Sequence, residues 1–157
     1  MSRRAFALFA LLAASLNGLA AELVCPDLAT AVQVAPCPTD EELSYTYKGY
    51  CGDNNRLYGK EAEVCAEFEN YRKLKNIALW ESADGEFSGY VSCDLPAASL
   101  RTATAQSMKL AKQGGVTRLV CAYGGNLSFT HRTRAECSVQ GSGACAGEGA
   151  SCKATCR

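Results

Sequence analysis

The sequence predicts an α+β domain, an antiparallel meander of about five strands with one packed helix, cross-linked by disulfides. Three observations carry that expectation. The chain has ten cysteines in 157 residues. A three- and four-residue apolar period between Leu57 and Lys75 gives way to a period of two after Ile77. Gly-rich turns then separate the alternating segments.

Taken in order, the first 21 residues read as a signal peptide. Arg3 and Arg4 make a positive start, Ala5 to Leu16 is apolar, and small residues at Ala20 and Ala21 offer a cleavage site. Ser2-Arg3-Arg4-Ala5-Phe6 also resembles a twin-arginine signal, although disulfides made after export favour the general secretory route. Glu22-Leu23-Val24 before Cys25 does not suit lipid attachment. The apolar run is shorter than the roughly 20 residues a membrane span requires, so no span is expected. Residues 22–157 then form one domain.

Residues 22–56 read as irregular, broken by Pro26, Pro36 and Pro38. A short helix is expected from about Asp27 to Val34, and Thr39 to Glu42 could open another turn. The main helix is expected from Leu57 to Lys75. Val64, Cys65, Phe68 and Tyr71 form its apolar stripe, Glu63, Glu67 and Asn70 face away, and Glu69 can pair with Lys73. Strands follow at Ile77–Glu81, Glu86–Cys93, about Thr104 onward, Val116–Tyr123 and from Leu127. Turns are expected at Ala83-Asp84-Gly85, Gly114-Gly115 and Gly124-Gly125-Asn126. The alanines and threonines of residues 97–111 suit either helix or strand.

The cysteines Cys25, Cys37, Cys51, Cys65, Cys93, Cys121, Cys137, Cys145, Cys152 and Cys156 read as five disulfides made outside the cytosol. Ten thiols allow about 945 pairings, and the sequence does not choose among them. No CxxC pair is present, and the lone His131 is not spaced for zinc, so neither a metal nor another cofactor is expected. Cys145, Cys152 and Cys156 read as staples for a glycine-rich tail.

No Gly-x-Ser-x-Gly, phosphate loop, HExxH or EF-hand occurs, so the expectation is a binding protein and not an enzyme. Zero net charge argues against nucleic acid as a partner. Charge is nonetheless segregated. Glu22 to Asp94 holds 14 acids and 6 bases, and Leu95 to Arg157 holds 2 acids and 8 bases. Either the halves neutralise each other in the fold, or an acidic surface steers a basic partner. The second reading makes Asp40, Glu41, Glu42, Glu63 and Glu67 the rim of a protein-binding surface. Tyr45, Tyr47 and Tyr50, in a mobile segment, would fill its centre.

The signal segment, the cysteine-rich domain, the missing catalytic constellation and the acidic helix together resemble periplasmic immunity proteins of type VI secretion effectors. The resemblance is one of kind. It implies a periplasmic or secreted inhibitor that occludes the active site of a toxic enzyme. Val120-Cys121-Ala122-Tyr123 and the Trp80–Cys93 hairpin likewise resemble cysteine-rich exported families. Two alternatives stand beside it: an enzyme or toxin acting through His131, Arg132 and Arg134, and a structural envelope protein. Asp84 with Glu86 as paired carboxylates, and Trp80 with Tyr90 as a sugar platform, are the remaining constellations.

Overall fold

The computed structural model describes residues 20–145 and 152–157, so the expected signal segment lies almost wholly outside the described residues. Strand β1 (Ala21–Val24) leads through a 3-10 turn at Leu28–Thr30 to β2 (Val32–Gln33). Four helices follow: α1 (Asp40–Cys51), α2 (Asn54–Leu57), α3 (Ala62–Ala66) and α4 (Phe68–Lys75). The hairpin β3 (Ile77–Glu81) and β4 (Ser88–Ser92) precedes α5 (Ala97–Arg101). The chain ends with β5 (Ser107–Gln113), β6 (Val116–Gly124), β7 (Leu127–Thr133), β8 (Cys137–Val139) and β9 (Lys153–Cys156).

The α+β, disulfide-rich class is therefore the observed one, with more elements than the sequence pattern implies. The six-stranded antiparallel sheet runs in the order β2-β3-β4-β7-β6-β5, and a three-stranded sheet runs β1-β9-β8. Alternation decides the faces. On β6, Thr117, Leu119, Cys121 and Tyr123 are buried, with Arg118, Val120 and Ala122 on the reverse side. Phe87, Phe129, Met108 and Leu119 join Leu28, Leu100 and Ala154 in one core, so the small sheet, the 3-10 turn and α5 cover the inner face.

Residues 97–111 contain both candidates, the short α5 and then β5. The strand begins at Ser107, three residues later than expected. The expected Leu57–Lys75 helix is broken twice, by the non-helical residues 58–61 between α2 and α3 and at Glu67, whose backbone is extended (φ −143°, ψ 146°). The Cys65 carbonyl accepts the Tyr47 hydroxyl at 3.0 Å, so a tertiary contact occupies an acceptor that a continuous helix would use itself. No Glu69–Lys73 ion pair forms among the described residues.

All ten cysteines pair: Cys25–Cys121, Cys37–Cys93, Cys51–Cys65, Cys137–Cys156 and Cys145–Cys152. Five disulfides fit an oxidising, extracytoplasmic compartment. The tail is stapled at Cys145–Cys152, and its Gly143 lies where a Cβ would come within 2.4 Å of the Met108 carbonyl oxygen. Only glycine lets the tail approach β5 that closely. Among the described residues no helix is long and apolar enough to cross a membrane.

Candidate functional site

Helices α1 to α4 form a module at one end of the large sheet. Thr39 caps α1 in a capping box: its hydroxyl accepts the Glu42 amide, and Glu42 Oε2 accepts the Thr39 amide at 2.7 Å. Three acids in the first turn suit the positive end of the helix. Leu43 and Tyr71 are buried between α1 and α4, and Cys51–Cys65 joins the end of α1 to α3. The segment Tyr45–Tyr50, expected to be mobile, is thus the body of a capped and disulfide-tied helix.

The structure sorts the sequence-predicted site residues into two groups. Asp40 is engaged by Arg72 Nε at 3.3 Å. Glu42 is held below the usual glutamate range by the Thr39 amide and then the Thr39 hydroxyl. Tyr47 packs its ring on Phe68 and Tyr71 at 5.6 and 5.4 Å. Tyr50 donates to Glu61 at 2.6 Å, which raises its pKa, while Arg56 and Lys75 flank its ring at 4.0 and 5.0 Å. These four build the module.

Glu41, Glu63 and Glu67 are exposed, and their carboxylates have no partner among the described residues. Tyr45 is 79% exposed. Tyr58, 80% exposed just after α2, was missed, because nothing in Asp53–Gly59 distinguishes an outward tyrosine from a packed one. Glu41 stands at the start of α1, whereas Glu63 and Glu67 flank Cys65 at its far end. The ten residue steps of α1 from Glu41 to Cys51 span about 15 Å. The acids therefore rim the module from two ends. A shallow groove of about 680 Å³ on the module is lined by Tyr45, Lys48, Tyr50 and Arg56.

The second constellation is partly assembled. His131, Asp84 and Glu86 line one cleft of about 580 Å³ beside β1. His131 Nδ1 lies 2.8 Å from the Glu86 carbonyl oxygen and 3.3 Å from Glu86 Oε2. Asp84 accepts the Ser82 hydroxyl and the Glu86 amide, which hold its carboxyl below the usual range. Donation from Nδ1 to the carbonyl would leave Nε2 as an acceptor. Arg132, the next residue along β7, projects from the opposite face, so the His131–Arg132–Arg134 grouping is divided by the sheet. Trp80 and Tyr90 are divided in the same way: Trp80 is buried in the core and Tyr90 is 67% exposed on the reverse face.

The charge segregation survives folding. Among the described residues, Glu22–Lys153 at 2.8 Å is the one ion pair joining an acid of the first half to a lysine or arginine of the second. Arg72 and Arg56 pair with acids of their own half, and Lys112 pairs with Glu136. The sulfurs of Cys25, Cys145 and Cys152 lie within 4.8 Å of one another, but all three are in disulfides and offer no thiolate to a metal. No protein-family model, curated protein or solved structure matches the chain.

Proposed function

We propose that the protein is an exported binding protein of the periplasm, an inhibitor of the immunity type that neutralises a toxic enzyme by covering its active site. The helical module is its contact face. One observation carries this reading: Tyr45 on α1 and Tyr58 just after α2 are about four-fifths exposed on a module clamped by Cys37–Cys93 and Cys51–Cys65. Large aromatic rings on a rigid support lose little entropy on binding, and tyrosines of this kind dominate protein interfaces. Glu41, Glu63 and Glu67 supply steering toward a basic cleft. Strand β1 begins at Ala21, so removal of a leader ending at Ala20 or Ala21 leaves the sheet essentially whole.

The test is capture of a single enzyme from periplasmic extract, followed by titration of its activity. Stoichiometric inhibition is expected. Tyr45→Ala with Tyr58→Ala should weaken it by more than about tenfold, and Glu63→Lys with Glu67→Lys should slow association. Inhibition unchanged by both double variants would remove the module from the mechanism.

The His131 cleft favours a second reading, a secreted enzyme, because one ring nitrogen is fixed by Glu86. Replacing His131 with Gln separates the two. An enzyme loses turnover and keeps its fold, whereas an inhibitor keeps its partner.

A further inference from the structure

The outer face of the six-stranded sheet carries two arginines without a counter-charge. Arg118 on β6 stands directly opposite Arg132 on β7 in the antiparallel register. Like charges in that position destabilise a sheet unless something between them is negative. Neither arginine forms an ion pair among the described residues. Arg118 donates to Gln113 through Nη2 at 3.1 Å, but its Nε is buried with no acceptor. Lys109, paired with Val120, adds a third cation to the same face. Glu81, the acid on this face, is paired with Ser88 in register and reaches neither arginine within 4.0 Å.

Beside the arginines a groove of about 420 Å³ crosses β3, β4 and β7. Its lining is Leu79, Ser88, Tyr90, Ser128, Thr130 and Arg132, with the backbone of Gly89. Among the described residues none of the hydroxyls of Ser88, Tyr90, Ser128 or Thr130 makes an intramolecular hydrogen bond, although each of the four could both donate and accept. Tyr90 lies open at its edge, 67% exposed. A volume of this order is that of a small-ligand cleft.

We infer that this face binds an acidic saccharide. Its anionic group lies between Arg118 and Arg132, where charge-assisted hydrogen bonds from the terminal guanidinium nitrogens relieve the repulsion. Ser88, Ser128 and Thr130 exchange hydrogen bonds with ring hydroxyls, and the C–H face of a sugar packs on Tyr90. A simple inorganic anion would use the arginines and leave the hydroxyls idle. A peptide strand would seek a sheet edge, and this groove lies over central strands. The site is separate from the helical module and does not depend on the inhibitor reading.

The test is a calorimetric and NMR titration of the intact, fully oxidised protein. The probes are an oligogalacturonate (carboxylate), a heparin-derived hexasaccharide (sulfate), neutral chitohexaose and sodium sulfate. Saturable one-to-one binding of either acidic oligosaccharide is expected, with shifts at Ser88, Ser128 and Thr130; which of the two binds identifies the anionic group. Arg132→Gln and Arg118→Gln should each weaken it by about tenfold or more. Tyr90→Ala should weaken the oligosaccharide and leave sulfate unaffected. Arg132 is exposed, so its variant carries the result even if Arg118→Gln perturbs folding. Equal affinity for chitohexaose, indifference to Arg132→Gln, or binding of neither acidic probe overturns the proposal. So does a dimer in sedimentation that Arg132→Gln dissociates, since the occupant is then a second copy.

Discussion

Arg72 grips Asp94 with both terminal nitrogens, at 3.3 and 3.4 Å. The same guanidinium turns its Nε to Asp40 at 3.3 Å, and Asp94 also accepts Asn76 Nδ2 at 3.0 Å. One side chain on α4 thereby ties the first turn of α1 to the end of β4. Arg72→Met should accelerate amide exchange in α1 and α4 while β6 and β7 keep their protection. Arg72→Lys should recover only part of it, because a point charge cannot span both carboxylates. Unchanged exchange in α1 would mean that the two disulfides hold the module without Arg72.

Of those two disulfides, Cys37–Cys93 bolts the entrance of α1 to the residue after β4. It joins cysteines 56 residues apart, so its removal releases considerable unfolded-state entropy. The double variant Cys37→Ala, Cys93→Ala should lose about 2–4 kcal/mol in denaturant unfolding. Removing Cys145–Cys152, whose cysteines are only 7 residues apart, should cost less by the same logic. Equal losses would show that local packing, and not loop closure, sets the contribution of each bridge.

The strands were legible because burial on one face leaves a period of two, as Trp80, Phe87, Leu119 and Phe129 show. Helix α1 was not. Leu43 is its one buried residue, and its other packing groups, Tyr47 and Tyr50, are amphipathic and give no apolar stripe. Its capping box at Thr39 and Glu42 was visible and read as a mere turn. The break at residues 58–61 contains Gly59, whereas the break at Glu67 has no proline or glycine beside it, and the hydroxyl that reaches the Cys65 carbonyl there comes from Tyr47, distant in the sequence. Strands β8 and β9 have three and four residues, and their register depends on Cys137–Cys156. The acidic cluster was legible as composition only. Which acids are free depends on Thr39 and Arg72, and those contacts are tertiary or capping geometry.

Glu42 and Asp84 give the fold an acid limb. The Thr39 amide lowers the Glu42 pKa, and the Ser82 hydroxyl, followed by the Glu86 amide, lowers that of Asp84. A carboxyl depressed in the folded state contributes stability that is complete above its unfolded value and vanishes as pH falls through the folded one. Tm should therefore stay level from neutral pH to about 5 and decline below about 4. Glu42→Gln with Asp84→Asn should lower Tm at neutral pH and flatten the decline. A variant that keeps the wild-type slope would assign the acid limb to other carboxylates.

Gly89 sits on β4 beside its antiparallel neighbour β7, and the two strands share the registered pair Ser88 and Thr130. A Cβ at Gly89 would lie 2.3 Å from the Ser128 carbonyl oxygen and 3.2 Å from a Phe129 ring carbon. Neither neighbour can yield cheaply. Ser128 is backbone in a strand already paired with β6, and Phe129 is fully buried. Gly89→Ala should thus push β4 from β7 and cost about 1–3 kcal/mol, as overpacking does. Gly49 in α1 is the control: a Cβ there meets nothing within 4 Å, so Gly49→Ala should stabilise by about 0.5–1 kcal/mol. Denaturant midpoints of the two variants should move in opposite directions from wild type. If both rise, β7 has room to retreat, and the close approach of β4 and β7 beneath the outer groove is not fixed by the core.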